Sequence, residues 1–327
     1  MKKFLLIALL IGFTNLQSQN IGIEKDAFAH TFSVVARDTV TGEMAVGVQS
    51  HWFSVGSIVS WGKSGVGVVA TQSFVNPAYG PLGLELMASG VSAEEALTQL
   101  VEKDEGRDYR QVAFLDHNGN VSAFTGEKCV EAAEDLQGRN FSVQANMMLN
   151  DRVVPAMAEA FVKYSDYPLA ERVVEVMKAA QEAGGDIRGK QSAALIVVGP
   201  EKTDKSWEDK KIDLRVDDHK TPIKELERLL KVHRAYDHMN KGDLAVEAGN
   251  MDKALKEYGT AEKMFPENLE MKFWKAVALT NSGRMEEARP IFEKVFKEDK
   301  NWKEMITRLP ASGILTISEE ELKSLTE

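Results

Sequence analysis

The sequence predicts an α+β fold, with a largely antiparallel sheet core and helices set apart from it, followed by an all-α unit. Three observations carry this. Short β-rich runs meet in tight turns between residue 31 and about residue 218. Apolar residues at helical spacing fill separate stretches of the same region. In the last third, four positions recur at a single period. Hairpins with segregated helices build mixed α+β layers.

The runs TFSVVARD (31–38) and EMAVGVQS (43–50) flank Val40-Thr41-Gly42, which reads as a hairpin turn. GVGVVATQS (65–73) is a third strand, with glycines where another backbone can approach closely. Ser92-Ala93-Glu94-Glu95 has the spacing of a capping box and starts a helix to about Lys103. Gln111 to Asp116 and Val121 to Phe124 are strands joined around Asn118-Gly119, a strong hairpin signal. Asp151 to Tyr164 and Leu169 to Ala183 have helical apolar spacing, and Gly184-Gly185 ends the second. A strand over Asn140 to Ala145 lies between these groups. Ser192 to Val198 and Ile212 to Val216 return to strand.

The last third has another grammar. Gly249, Ala254, Tyr258 and Ala261 recur thirty-four residues later as Gly283, Ala288, Phe292 and Val295, with Pro266 closing the first unit. This resembles tetratricopeptide repeats, whose small residues let paired helices approach. Two repeats need caps, expected from a helix over Pro222 to about Met239 and from the tail after Trp302. The expected division is a signal segment over 1–19, a sandwich over 30–221 and helical repeats over 222–327. On that division the repeats are separable, with proteolytic cuts near residues 218–222 or 240–243.

Met1 to Gln19 has a basic start, Lys2-Lys3, and a ten-residue apolar run from Phe4 to Phe13. That run is too short to span a bilayer and fits a secretory signal cleaved near Ser18. Export to the periplasm or beyond is therefore expected, with no membrane span left after signal removal. The net charge of −10 argues against nucleic acid as a partner, because phosphate binding needs clustered Lys and Arg. Cys129 is the only cysteine, so no intrachain disulfide forms. It is a lone nucleophile or, more in keeping with its type, a small buried residue.

Thr31-Phe32-Ser33, Gly65-Val66-Gly67 through Ala70-Thr71-Gln72, and Asn76-Pro77 with Tyr79-Gly80-Pro81 resemble a prokaryotic domain-of-unknown-function family. Its fold is similar to that of the N-terminal-nucleophile (Ntn) hydrolases, the superfamily of the proteasome and of γ-glutamyltransferases. The resemblance continues at Phe124-Thr125-Gly126 with Cys129, at Gln144-Ala145-Asn146, and from Gly184 through Ala194. It closes at Asp213 to His219, and so covers roughly residues 30 to 235. It implies an αββα sandwich.

The resemblance also implies chemistry. An N-terminal threonine carries a hydroxyl nucleophile and, on its own α-amine with a pKa of about 8, the base that activates it. Thr31 is the candidate, which requires cleavage of the His30–Thr31 bond by self-processing or by a protease. The alternative is that Thr31 merely starts an edge strand. Lys63, thirty-two residues on, matches a lysine that proteasome-like enzymes place beside the nucleophile. A solvated loop lysine is the other reading. Asn146 can donate to a developing oxyanion, worth roughly 3 kcal/mol, or cap the helix near Asn150. Gln72, Ser73 and Ser192 stand at strand ends where they can line one pocket. Arg188 can hold a substrate carboxylate bidentately or lie on the surface.

Asp217-Asp218-His219 does not make a metal site, since neighbouring strand residues point to opposite faces. No cofactor motif appears in a suitable context, and neither metal nor cofactor is expected. Two functions compete: an amidohydrolase or peptidase acting on a small amide or peptide through Thr31, and a non-catalytic binding protein whose repeats dock a protein or peptide. Oligomeric state stays open, a homo-oligomer included.

Overall fold

A computed structural model describes residues 27–327. The expected signal segment, Met1 to Gln19, lies outside the described residues. Eleven strands form two antiparallel sheets among the described residues. The first sheet has β1 (Ala27–Ala29), β5 (Gly67–Val75), β6 (Arg110–Asp116) and β7 (Val121–Thr125) in that order, with β4 (Ser60–Lys63) also paired to β5. The second runs β11 (Lys210–Val216), β10 (Ser192–Val198), β3 (Met44–Ser50), β2 (Thr31–Arg37), β9 (Phe141–Ala145), β8 (Glu134–Gly138).

Strand alternation sorts the core into layers. On β2, Val35 points between the sheets while Phe32, Val34 and Ala36 point to the other face. There they meet Met157 of α3 (Val153–Lys163) and Val173 and Met177 of α4 (Leu169–Glu182). The first sheet turns Val69, Val112 and Phe114 outward onto α1 (Tyr79–Ala88) and α2 (Ala93–Lys103). Val46, Val48, Val68, Ala70 and Ile196 fill the space between the sheets. The result is the αββα sandwich. Gly67 shows why a strand glycine was needed: an added Cβ would lie 2.4 Å from the Leu115 carbonyl oxygen on β6. Ser92 caps α2 by accepting from the Glu95 amide at 3.2 Å.

The helical region begins with α5 (Pro222–Glu247), one continuous helix of 26 residues. Its first half inserts Ile223, Leu226 and Leu230 into the core beneath α3 and α4. Its second half gives Ala235, Met239 and Ala245 to the core of the repeats. The sequence reading placed a boundary at residue 222. Instead the sandwich and the repeats share this helix, because its apolar residues serve both cores. The repeats follow as α6 (Met251–Met264), α7 (Leu269–Asn281) and α8 (Met285–Glu298). Ala254, Tyr258, Ala261, Ala288, Phe292 and Val295 are all buried at the helix contacts their period implied. The tail, α9 (Lys300–Ile306) and α10 (Glu319–Thr326), packs Ile306, Leu315 and Leu325 onto the α7–α8 pair. No helix of the described residues is long and apolar enough to cross a membrane.

Candidate active site at the start of the second strand

Toward one end of the sandwich the filling between the sheets changes from aliphatic to polar. Thr31, Ser33, Ser50, Gln72, Gln111, Gln144 and Asn146 are all fully buried there. Buried polar groups are stable only when hydrogen-bonded, and these largely are. Gln72 Nε2 donates to Gln111 Oε1 at 2.7 Å and, across to the other sheet, to the carbonyls of Thr31 and Gln144 at 3.3 and 3.4 Å. Asn146 Nδ2 donates to the same Gln111 oxygen at 2.9 Å. Gln111 Nε2 donates to Thr125 Oγ1 and to the Ala145 carbonyl, both at 2.9 Å.

This chain of amides decides a tautomer. With its amide nitrogen on Gln111, Asn146 has only Oδ1 to offer His30, whose Nδ1 stands 2.7 Å away. Nδ1 of His30 therefore carries the hydrogen. Burial holds the imidazole below its ordinary pKa, and the charge of Arg188 adds to this. The Asn146 hydrogen bond and Asp186 oppose it. Near pH 7 His30 is neutral.

The chain on either side of the His30–Thr31 bond is held in place. The His30 carbonyl accepts from Ser50 Oγ at 2.6 Å and from Arg188 Nη2 at 2.8 Å. The Thr31 carbonyl accepts from the Asn146 amide at 3.1 Å. Thr31 Oγ1 donates to the Ala29 carbonyl at 2.5 Å. Arg188 is fixed by Asp186, whose fully buried carboxylate accepts from Arg188 Nε at 3.0 Å, from Arg188 Nη2 at 2.7 Å and from the His51 amide at 3.2 Å. Charge-assisted bonds of this kind are short and directional.

The expected site residues divide. Thr31, Gln72, Asn146 and Arg188 come together. Thr31 does not start an edge strand, since β2 is paired with β3 on one side and β9 on the other. Asn146 does not cap the next helix. The N-cap position of α3 is Arg152, with no side-chain cap, and Asn150 accepts from the Arg152 amide at 2.9 Å in the turn just before it. Arg188 is a half-buried donor to His30 and Asp186, and not a free surface side chain. Ser73 is buried, with φ of 74° and no hydrogen bond of ordinary length to its hydroxyl among the described residues. It lies beside Cys129, whose thiol is pushed up by burial while the Ser73 hydroxyl opposes that shift. Ser192 faces elsewhere, donating to the Trp52 carbonyl and accepting from the Val55 amide at 3.1 Å. It pins the 51–55 loop.

Lys63 is a correction. It is exposed and ends β4, opposite Gly67, whereas Ala29 pairs with Ser73 six residues further along β5. Six strand residues span about 20 Å. The cause is β4 itself, a short strand that turns back into β5 and carries its lysine to the far end. The cation beside Thr31 is Arg188. Sequence reasoning passed over His30, Ser50, Gln111 and Asp186. The signal for Ser50 and Gln111 was faint, a polar residue at an inward position of an otherwise aliphatic strand, and His30 and Asp186 stand outside the strands with no periodic signal at all.

A family model described as "Family of unknown function (DUF1028)" matches residues 31–226. The chain belongs to that family. The DUF1028 match starts at the buried Thr31. A tetratricopeptide repeat model matches residues 239–300. Among solved structures, the DUF1028 protein SPO2555 from Silicibacter pomeroyi is similar at 31% identity and a TM-score of 0.56. The similarity covers 62% of this chain and 88% of that one. No curated protein matches.

Proposed function

We propose that this protein is an exported Ntn-type amidohydrolase or peptidase, with Thr31 as its nucleophile. One observation carries the reading. The carbonyl directly ahead of Thr31 sits between two donors, Ser50 Oγ and the Arg188 guanidinium. Donors fixed on a carbonyl stabilise the oxyanion formed when a nucleophile adds to its carbon. In the chain as it stands the Thr31 nitrogen is acylated by His30, so its amine is not available as a base. Self-processing supplies it. Thr31 Oγ adds to the His30 carbonyl carbon, and the C–N bond breaks. The hydroxyl proton passes to the departing nitrogen, leaving an ester. Water hydrolyses the ester to a His30 carboxylate and a free N-terminal threonine. That threonine then has hydroxyl and amine together.

The test is the mature N-terminus from the native cell, with turnover measured on γ-glutamyl, acyl-amide and short peptide substrates. A start at Thr31 supports the reading, and an intact mass retaining Met1 removes export from it. Thr31→Ala should abolish both self-processing and turnover, and Thr31→Ser should keep part of each. Full activity in Thr31→Ala ends the proposal. Equal activity from chains beginning at Gln19 and at Thr31 excludes the amine as base.

A second reading has its own observation, the tetratricopeptide match over 239–300. Such repeats commonly dock other proteins or peptides, and a mature start near Gln19 without turnover would leave that role in front.

A further inference from the structure

The segment ahead of Thr31 does not hang free; it is bound as a peptide ligand would be. β1 lies antiparallel on β5, with Ala27 opposite Val75, residue 28 opposite Phe74, and Ala29 opposite Ser73. It takes up the length of β5 beyond the stretch paired with β4, which ends at Ala70. Strand addition to an open sheet edge is a general way to hold an extended peptide: main-chain bonds give affinity and side-chain pockets give selectivity.

Two such pockets are built here, and their walls belong to the folded body. Ala29 is fully buried in the cluster between the sheets that includes Val35, Val55 and Val75, where a much larger side chain would have to displace packed neighbours. The His30 ring is 2% exposed. It donates from Nδ1 to Asn146 and stands edge-on to Phe74, with ring centroids 6.0 Å apart and planes at 88°. The His30 carbonyl lies on Ser50 and Arg188.

We propose that the cradle vacated by residues 27–30 is the acyl-side substrate site. It takes an extended peptide on β5, with a small residue followed by a planar, hydrogen-bond-donating residue such as histidine just before the bond cut. This rests on the reading of Thr31 as the freed nucleophile. In turnover, Thr31 Oγ adds to the peptide carbonyl carbon and its α-amine takes the hydroxyl proton. The C–N bond breaks and the leaving amine takes that proton. Water then cleaves the ester, restoring the hydroxyl and releasing a peptide that ends in a carboxylate. Ser50 and Arg188 face that carboxylate, so the product should bind well.

The probes are acetyl-Ala-Phe-Ala-His with a free carboxylate for binding and its anilide for turnover. Each is compared with versions carrying Leu for His, or Trp for the second Ala. On the chain beginning at Thr31, the parent peptide should bind and turn over at least tenfold better than either version. Asn146→Ala should erase the preference for His over Leu. The full-length chain gives a second arm, read by intact mass. There, Ala29→Trp and His30→Leu should slow cleavage at least tenfold, while His30→Asn, which keeps an N–H toward Asn146, should not.

Selective binding of the parent peptide to a Thr31→Ala chain that begins at residue 31, with no turnover by the unsubstituted chain beginning at Thr31, upholds the site and sinks the nucleophile. Turnover of assorted amides with all peptides within twofold of one another overturns the site and leaves the nucleophile standing. Equal cleavage of all full-length variants, or no peptide binding at all, also overturns it.

Discussion

Asn146 accepts the Nδ1 hydrogen of His30 at 2.7 Å while donating its own amide hydrogen to Gln111, so one side chain joins the residue ahead of Thr31 to a strand of the opposite sheet. Asn146→Ala would remove the acceptor of the buried His30 Nδ1 hydrogen, while Gln111 Oε1 keeps its bond from Gln72. Leaving buried polar atoms unpaired costs about 1–3 kcal/mol. Urea denaturation should show a loss of that size.

The neutral state of His30 links stability to pH. Its folded pKa lies below the ordinary value of 6.5. As pH falls below about 6.5, the unfolded chain binds the proton first, so unfolding is favoured. Stability should therefore be full above that value and decline below it. His30→Asn should make the decline shallower. His233, also depressed mainly by burial, titrates in the same window. Its replacement should remove a separate share, measurable as melting temperature against pH.

In the repeats, Gly242 of α5 packs against Tyr258 of α6 so closely that an added Cβ would lie 2.4 Å from the ring. Gly242→Ala gains helix propensity yet should destabilise the protein, because the clash outweighs that gain. Ala254→Trp and Ala288→Trp overfill fully buried contacts and should cost about 1–3 kcal/mol or more. Thermal melts followed at a helical wavelength would measure all three.

Along α5, apolar contacts should matter more than the visible ion pair. Arg234 binds Glu171 through two bonds of 2.9 Å, but both side chains are about one-third exposed. Arg234→Ala should cost about 1 kcal/mol or less. Leu226→Ala, at a fully buried site, should cost about 2–5 kcal/mol. Limited proteolysis should spare residues 240–243, which lie inside the helix. Early cuts there would contradict the shared core.

Much of the fold is legible because period and punctuation agree. The 31–50 hairpin, the Asn118-Gly119 turn and the repeat contacts follow from local chemistry. α1 hides because two glycines and a proline interrupt its apolar spacing, and β8 because EDLQG is a polar strand at a sheet edge. At the candidate site, Thr31, Asn146, Gln72 and Arg188 can be picked out from the family resemblance together with their places at strand ends and turns. Their partners cannot. His30 meets Asn146 across 116 residues, and Arg188 meets His30 across 158. Lys63 misleads for the same reason: nearness in sequence says little once an intervening strand reverses direction.

The place of β2 inside its sheet has a consequence for positional tolerance. With β3 bonded along one flank and β9 along the other, Thr31 is mounted on a stiff central slat and not on a loop. Moving its backbone by an ångström would loosen both ladders together. Any partner that reacts with this residue must do the adjusting itself. Alignment error at the hydroxyl is set by side-chain rotation alone, while the main chain serves as a fixed bench.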